Sequence, residues 1–316
     1  MTDFSYLNVD NAYKLINQKV TKTPLVTNDY INNHLEAEIY FKLENLQNTG
    51  SFKLRGATHK ITKFIETVKD SGVVAYSSGN HAQAVAYASM INSISAKIIM
   101  PKNAPQIKIE NTKKYGAEVI LYDTYFQSRE EIGNEIQKKD NRALIKPYDD
   151  EDIIAGQGTA AIEIVNDLKE QFIEPDFYLC CCGGGGLIAG TSTYLKHIYP
   201  NIRSYSVEPD EFDDTKRSLE AGKIIENKKN AKSFCDALLA PQPANITLQI
   251  NTNNLDFFFN NDCNSIKSSI GKRALVQSRI KSKLNSKFSC FKQLIFCLIN
   301  WSVETVPISF LSIKIM

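Results

Sequence analysis

The feature that most restricts the fold of this chain is an apolar segment that ends in four consecutive glycines. The segment Phe177–Cys182 has the length of one buried strand, and Gly183, Gly184, Gly185 and Gly186 follow it directly. Glycine loses more backbone entropy on folding than any other residue, so this turn is costly unless it holds something. Four glycines let the backbone wrap closely around an anion at the start of the helix expected next. We therefore predict phosphate binding here in preference to a bare flexible turn.

Segments with strand and helix periodicity alternate over the first two-thirds of the chain. Short apolar segments between turn residues predict strands, and apolar residues at helical spacing predict the helices between them. Asp10 is expected to cap the first helix. This alternation favours parallel sheets covered by helices, and therefore an α/β fold. The predicted strands include Ile39–Leu43, Gly72–Tyr76, Ala96–Met100, Glu118–Tyr122 and Arg203–Val207, and the predicted helices include one from about Ser51, Ala82–Met90 and Ile107–Tyr115.

Charge and hydropathy exclude several classes of protein. The 316 residues carry a formal net charge of +2, which offers no basic field for nucleic acid. No apolar run reaches the roughly 18–20 residues that span a bilayer, and Met1–Asn11 lacks the pattern of a secretory signal. Three of the seven cysteines, Cys180, Cys181 and Cys182, are consecutive and cannot form a disulfide framework. We expect a cytoplasmic protein that binds neither nucleic acid nor membrane.

A possible nucleophile lies at the end of Thr49–Lys53, where a helix is predicted to begin. Gly50 and Ser51 provide a helix cap and exposed backbone N–H groups. Lys53 follows Phe52 and precedes another apolar residue, so burial could make its amine nucleophilic. A lysine near a helix start is more often a surface residue, and the spacing alone does not decide between the two.

A second polar turn, Ser77–Gln83, lies between a predicted strand and a predicted helix. Its hydroxyl and backbone N–H groups would meet at a helix N-terminus, which is a good cradle for a carboxylate. An ordinary capped turn has the same composition. His81 considered alone is more often a structural residue than a catalytic one.

An acidic segment, Glu208–Asp214, follows the last predicted strand. Clustered carboxylates at such a position suit a hard cation such as Mg²⁺ or Ca²⁺. A solvated acidic loop is the simpler interpretation when the segment is considered alone.

Taken together and in this order, these segments resemble the fold-type II pyridoxal-phosphate family that includes serine racemase and threonine dehydratase. The resemblance runs from about Thr23 to about Pro243, and it also covers Lys42–Gln47 and Ala155–Thr159. It implies two parallel-sheet domains with the cofactor in the cleft between them. Residues 1–73 and 150–256 would form the large cofactor-binding domain, and residues 74–149 the small one. A homodimer is also implied.

The resemblance assigns a role to individual residues. Lys53 would hold pyridoxal 5'-phosphate covalently and exchange the α-proton of the substrate. A divalent cation, Mg²⁺ first and Ca²⁺ or Mn²⁺ as alternatives, would bind Glu208, Asp214 and the carbonyl of Phe212. The remaining roles are a flank of the cofactor ring for Phe52, a hydrogen bond to its phenolic oxygen for Asn80, phosphate binding for Gly183, Gly184, Gly185 and Gly186, and the substrate carboxylate for Ser77, Ser78, Asn80 and His81.

The activity that the resemblance implies is elimination from a small hydroxy amino acid. Dehydration and deamination of L-serine or L-threonine comes first, because Glu208–Leu219 and Cys235–Pro243 look most like bacterial-type dehydratases. Racemisation of serine comes second, because Ser78 lies where serine racemase has its second acid–base group. A sulfhydrylase or synthase of the same fold comes third. A catalytically impaired relative that only binds cofactor or partners is the alternative of another class.

The C-terminal part of the chain departs from the family. The α/β pattern is lost from about Phe257, and a serine-containing turn that contacts the cofactor's pyridine nitrogen in the family is not present in frame. Codons for Lys287–Leu294 and Trp301–Thr305 can encode family-like segments in other frames, and the three phenylalanines at 257–259 can be encoded by a thymine run. We therefore interpret residues 257–316 as a frameshifted tail. The nucleotide sequence of the gene, read in three frames, would test this hypothesis.

Overall fold

The computed structural model describes residues 2–233, 235–256 and 310–314, the last of these by its backbone alone. The strands are β1 Leu25–Thr27, β2 Glu38–Lys42, β3 Val73–Tyr76, β4 Ala96–Pro101, β5 Glu118–Tyr122, β6 Ala143–Leu144, β7 Phe177–Cys181, β8 Arg203–Val207 and β9 Phe310–Lys314. The helices are α1 Tyr6–Ile16, α2 Asp29–Leu35, α3 Lys53–Lys63, α4 Ile65–Val68, α5 Asn80–Ile91, α6 Gln106–Lys114, α7 Arg129–Asp140, α8 Glu151–Glu170, α9 Gly186–Ile198, α10 Asp214–Ala221 and α11 Asn245–Asn254.

The strands form two sheets, and the predicted α/β class is confirmed. A four-stranded sheet has the order β5-β4-β3-β6, and all of its neighbours are parallel. A five-stranded sheet has the order β1-β2-β9-β7-β8. In this sheet β7 and β8 are parallel, whereas β2 pairs antiparallel with both β1 and β9. The larger sheet is therefore mixed, with its parallel pair at the strand that leads into the glycines.

The two parallel regions place helix N-termini at the carboxyl ends of strands. Strand β3 is followed by a turn and then by α5, which begins at Asn80. Strand β7 is followed by the glycine turn and then by α9, which begins at Gly186. In open α/β sheets, ligands bind outside the carboxyl ends of the strands, where the backbone N–H groups of the next helix are free. The fold thus presents two candidate anion-binding turns.

Close contacts between glycines fix the relative positions of α3, α8 and α9. A Cβ atom on Gly156 of α8 would lie 2.6 Å from the carbonyl oxygen of Arg55 on α3. A Cβ atom on Gly190 of α9 would lie 2.3 Å from the carbonyl oxygen of Ile154 on α8. Side chains at these positions would force the helices apart. Because α3 begins at Lys53 and α9 at Gly186, this packing also determines where the candidate nucleophile and the glycine turn lie.

The local boundaries differ from the sequence predictions at three points. Helix α1 begins at Tyr6, where the N–H of Ser5 donates to Asn8 Oδ1 at 2.9 Å, so Asp10 lies inside the helix and does not cap it. Helix α3 begins at Lys53 itself, two residues later than expected. In the proposed tail, residues 257–309 and 315–316 lie outside the described residues, whereas Phe310–Lys314 pairs antiparallel with β2 and β7.

Among the helices that the structure describes, none is both long and apolar enough to cross a membrane.

Candidate active site

Lys53 is the first residue of α3, and its amine lies beside two aromatic rings. Its Nζ donates to the carbonyl oxygen of Pro147 at 2.7 Å. The same atom lies 5.2 Å from the ring centroid of Phe52 and 5.7 Å from that of Tyr148. Burial lowers the pKa of Lys53 to about 8, since the charged ammonium loses its hydration there. A lysine with this pKa has an appreciable neutral fraction near neutral pH and can act as a nucleophile.

A buried ionic network holds the beginning of α3 in place. Arg55 is fully buried, and its guanidinium binds Glu44 and Glu163, each with an N–O distance of 2.7 Å. Lys42 Nζ lies 2.8 Å from the second oxygen of Glu163. We call these four residues the Arg55 network. Because Arg55 lies two residues after Lys53 on the same helix, the network limits how far the amine can move.

Two side chains connect Lys53 with the glycine turn. Gln157 donates from Nε2 to the same Pro147 carbonyl at 3.3 Å, and its Oε1 lies 3.0 Å from where a Gly186 Cβ would be. The ring of Tyr148 lies against Gly184, whose Cβ would be 2.5 Å from three ring atoms. The amine and the turn therefore line the same site, although they are more than 100 residues apart in the chain.

The glycine turn has the geometry of an anion cradle. Gly185 has a φ of +82°, a conformation that residues with a side chain rarely adopt. Gly185 O accepts the first helical bond of α9, from Ala189 N at 3.0 Å, so the N–H groups that precede Ala189 have no partner within the helix. Gly183 lies against the backbone of Leu238. A phosphate would therefore meet free N–H groups and a helix dipole, with no Cβ in its way.

The Ser77–His81 turn lies near Lys53, because His81 and Lys53 bind carbonyl oxygens only two residues apart, those of Ile145 and Pro147. Ser77 Oγ accepts from Gly79 N at 3.1 Å, Ser78 is exposed, and Asn80 begins α5. His81 Nε2 donates to Ile145 O at 2.9 Å. Burial first, and Lys53 second, lowers the pKa of His81 to about 3, so the ring is neutral.

The protonation of His81 limits its role. Since Nε2 carries the proton, Nδ1 of the neutral ring is an acceptor, and it has no hydrogen-bond partner among the described residues. A neutral acceptor cannot bind a carboxylate. The role predicted for His81 in carboxylate binding would therefore fall to its backbone N–H group, which lies in the first turn of α5.

The acidic loop and the start of α10 form a separate, half-buried cluster after β8. Glu208 accepts from the N–H groups of Thr215 at 2.8 Å and Lys216 at 3.0 Å, both in the first turn of α10. Asp214 Oδ1 accepts from Asn227 Nδ2 at 2.6 Å, whereas its buried Oδ2 has no hydrogen-bond partner among the described residues. Burial raises the pKa of Glu208 to about 7 and that of Asp214 to about 6. Such carboxylates are costly to ionise without a counter-charge.

The ligands that this loop could offer to a metal are mainly oxygen atoms. Phe212 is buried, and its N–H donates to Pro209 O at 3.0 Å. Over the described part of the chain, no three His, Cys, Asp or Glu side chains cluster in a way that could hold a metal ion. A cation here would need carbonyl or water oxygens in addition to the two carboxylates, as Mg²⁺ and Ca²⁺ commonly do.

Several residues of the site were not predicted from the sequence. Tyr148 has no motif of its own, and Gln157 was recognised only as part of Ala155–Thr159. Lys108 on α6 lies over Gly79, and its Nζ is 3.3 Å from Asp236 Oδ2. The sequence carries no signal for this contact, because 128 positions separate the two residues.

Comparisons with known proteins agree with the geometry. A family model described as pyridoxal-phosphate dependent enzyme matches residues 16–267. The chain is 38% identical over 246 residues to a serine racemase of Schizosaccharomyces pombe, covering 78% of this chain and 75% of that one. It is 36% identical over 252 residues to the L-threo-3-hydroxyaspartate ammonia-lyase of Saccharomyces cerevisiae, covering 80% and 76%. The solved structure of the processed form of threonine deaminase isoform 2 from Solanum lycopersicum matches with a TM-score of 0.73 and 33% identity, covering 80% of this chain and 72% of that one.

Proposed function

The chain belongs to the family of pyridoxal-phosphate-dependent enzymes, and on this basis we propose that it dehydrates and deaminates L-serine or L-threonine. The products are a 2-oxo acid and ammonia. The observation that carries the proposal is the position of Lys53, whose pKa is lowered to about 8 and which lines the same site as the glycine turn. An amine nucleophile and a phosphate cradle in one cleft are what the cofactor requires.

The residues of the site fit pyridoxal 5'-phosphate. Lys53 would bind its carbonyl carbon, the turn Gly183–Gly186 would bind its phosphate, and Phe52 lies where it can flank the ring. When bound, the cofactor supplies an electron sink that stabilises negative charge at the α-carbon of an amino acid. The assignment of Asn80 to its phenolic oxygen rests on the family resemblance and on the position of this residue at the start of α5.

The protein's own groups would then perform two tasks. The N–H groups of the Ser77–His81 turn, at the N-terminus of α5, bind the substrate carboxylate. The Nζ atom of Lys53 removes the α-proton, for which a pKa of about 8 is well placed. The α-proton taken up by Lys53 and the departing β-hydroxyl together form water, and hydrolysis of the resulting enamine consumes one water and releases ammonia. The net reaction is therefore the conversion of the hydroxy amino acid to a 2-oxo acid and ammonia.

Racemisation of serine is the second candidate, and one observation favours it. Ser78 is exposed at the tip of the carboxylate-binding turn, where its hydroxyl is free to approach a substrate. A racemase needs a second acid–base group on the face opposite Lys53, and Ser78 would supply it. The relative from Schizosaccharomyces pombe is named a serine racemase.

The test is a product analysis of the full chain loaded with the cofactor. L-Serine and L-threonine are supplied separately, 2-oxo acid is measured in a coupled assay, and D-serine is measured by chiral chromatography. L-threo-3-Hydroxyaspartate, which is the substrate in the name of the yeast relative, is assayed in parallel. We expect 2-oxo acid to form faster than D-serine, and Lys53→Ala to abolish both.

Other outcomes would change the conclusion. Predominant D-serine would establish the racemase, and cysteine synthesis from O-acetylserine would reject both activities. Cofactor binding without turnover of any of these substrates would support the impaired relative.

We further propose that Glu208, Asp214 and the carbonyl oxygen of Phe212 bind Mg²⁺, with Ca²⁺ or Mn²⁺ as alternatives. The raised pKa values of the two carboxyl groups and the unpartnered Asp214 Oδ2 support a cation at this position. A homodimer and a cytoplasmic location remain predictions from the resemblance and the composition. Analytical ultracentrifugation and fractionation of the source cells would check them.

A further inference from the structure

We propose that Asn251 and Thr247 of α11 are positioning residues that hold the glycine turn in its phosphate-binding conformation. This inference rests on the proposed function, because it names the residues that determine how the cofactor's phosphate is recognised. Helix α11 lies beyond the motifs that the sequence analysis used, and its contacts with the turn are visible only in the folded chain.

The two residues lie against the back of Gly185. They are one helical turn apart, so both face the same neighbour, and both are fully buried. Asn251 Nδ2 donates to Gly185 O at 3.4 Å. A Cβ atom on Gly185 would lie 2.9 Å from Asn251 Nδ2 and 3.2 Å from Thr247 Cβ. Helix α11 therefore fills the space on the Gly185 side of the turn, whereas Tyr148 and Gln157 lie against Gly184 and Gly186.

The hydrogen bond to Gly185 O has a consequence on the other side of the peptide unit. The carbonyl of Gly185 and the N–H of Gly186 belong to one planar trans peptide, so they point in opposite directions. Asn251 and the first helical donor, Ala189 N at 3.0 Å, together fix the direction of this carbonyl. They therefore aim the Gly186 N–H away from α11, into the space that a phosphate at the N-terminus of α9 would occupy. Without Asn251, only the Ala189 N–H holds this carbonyl, and the glycine at position 185 lets the peptide rotate more easily.

Thr247 supports the turn by its shape. Its Oγ1 accepts from Ala244 N at 3.0 Å and donates to Ala244 O at 3.1 Å, so its rotamer is determined within α11. The side chain then presents a fixed surface to Gly185. Thr247 limits the movement of the turn, and Asn251 sets the orientation of its peptide.

The same helix provides a matched control. Asn254 Nδ2 donates to Thr193 Oγ1 at 2.7 Å. This is likewise a hydrogen bond from a side-chain amide of α11, here to a residue of α9. Thr193 is half-buried and lies more than one helical turn after Gly186. Removing the side-chain amide of Asn251 or of Asn254 weakens the packing of α11 against α9. Only the removal of the Asn251 amide also loosens the glycine turn.

The experiment compares two ligands that differ only in the phosphate. Full-length wild-type, Asn251→Ala and Asn254→Ala proteins are freed of cofactor and titrated with pyridoxal 5'-phosphate and with pyridoxal. Asn251→Ala should weaken pyridoxal 5'-phosphate binding about fivefold to tenfold, because one hydrogen bond that orients the turn is lost. Pyridoxal binding should stay unchanged. Asn254→Ala should leave both unchanged. Inorganic phosphate should compete less well in Asn251→Ala than in the wild type.

A nearly isosteric variant keeps the proposal testable if the alanine variant does not fold. Asn251→Asp replaces the donor by a carboxylate and should weaken pyridoxal 5'-phosphate binding by at least as much. Equal weakening of both ligands, or the same loss in Asn254→Ala, would overturn the proposal in favour of a purely structural helix. If the wild type binds neither ligand, the proposed function fails, and this outcome is distinct from a failure of the Asn251 variants.

Discussion

Lys53 and His81 acquire their chemistry from burial. Lys53 has a lowered pKa, because the ammonium group is desolvated and its nearest polar contact is the neutral carbonyl of Pro147. His81 is neutral for the same reason, with the charge of Lys53 adding to the effect. The two groups are thus suited to the same pH range, in which Lys53 can lose its proton while His81 stays uncharged.

The pKa of Lys53 predicts a pH dependence for cofactor attachment. Only the neutral amine is nucleophilic, so the initial rate of attachment should rise between about pH 6.5 and pH 8 and level off above this range. The rate is measured by borohydride trapping at short times followed by peptide mapping, with Lys53→Ala as the background. A rate that still rises steeply between pH 9 and pH 10.5 would indicate an ordinary exposed amine.

The lowered pKa of Lys53 also makes the free energy of unfolding depend on pH. The folded state binds the Lys53 proton less tightly than the unfolded state, whose pKa is near the ordinary 10.5. The free energy of unfolding should therefore rise with pH between about 8 and 10.5. Lys53→Met should reduce this slope, which urea titrations at several pH values would show.

At the scale of single elements, the start of α10 combines two opposing effects. Its first N–H groups bind Glu208 and favour the negative charge, as a helix N-terminus does. Burial nevertheless raises the pKa of Glu208 above its ordinary value. A bound cation would offset the free-energy cost of burying the charged carboxylates of Glu208 and Asp214. It would also link the end of β8 to α10.

We expect Mg²⁺ to stabilise this loop and, with it, the whole chain. A cation at ten times its dissociation constant contributes about 1.4 kcal/mol, which corresponds to a rise in Tm of about 2–4 °C. Glu208→Gln should abolish the rise measured by calorimetry in Mg²⁺. Asp210→Asn, an exposed acidic residue of the same loop, is the control and should keep the rise. An equal response in the two variants would return the loop to a solvated acidic surface.

At the scale of the whole molecule, the Arg55 network joins segments from distant parts of the chain. It brings together β2, the turn after it, α3 and α8, through four side chains that are at most 2% exposed. Its charges balance as two positive and two negative. A balanced pair or network contributes little by itself, but removing one partner leaves a buried charge uncompensated.

Arg55→Met should therefore be strongly destabilising. We expect a loss of about 3–5 kcal/mol in the free energy of unfolding, measured from the midpoint of urea unfolding. The control is Lys63→Met on the same helix, whose ion pair with Asp152 is half exposed and should contribute less than about 1 kcal/mol. Similar losses of stability in the two variants would mean that the buried Arg55 network contributes no more than an exposed ion pair. Cofactor binding should weaken in Arg55→Met, since Lys53 begins the same helix.

Local signals in the sequence determined the elements and pointed to the candidate residues of the site. Strand and helix periods, the glycines after β7 and Lys53 at a helix start depend on residues within a few positions of one another. They predicted the α/β class, the strands around the site and the family. Where the prediction was wrong, as at Asp10, several polar residues near the helix start compete for the cap, and the helix begins five residues earlier than predicted.

Only the tertiary structure decided which distant groups meet and in what state. The glycine turn is contacted by Tyr148, Gln157 and Asn251. No local pattern in the sequence encodes these contacts, because they arise from the packing of distant segments. The pKa values of Lys53 and His81 likewise depend on burial, which results from packing between elements far apart in sequence. Periodicity specifies which face of a helix is apolar, but it does not specify which partner covers that face. The physical reason is that secondary structure follows from short-range sterics and hydrogen bonds, whereas a binding site depends on long-range packing.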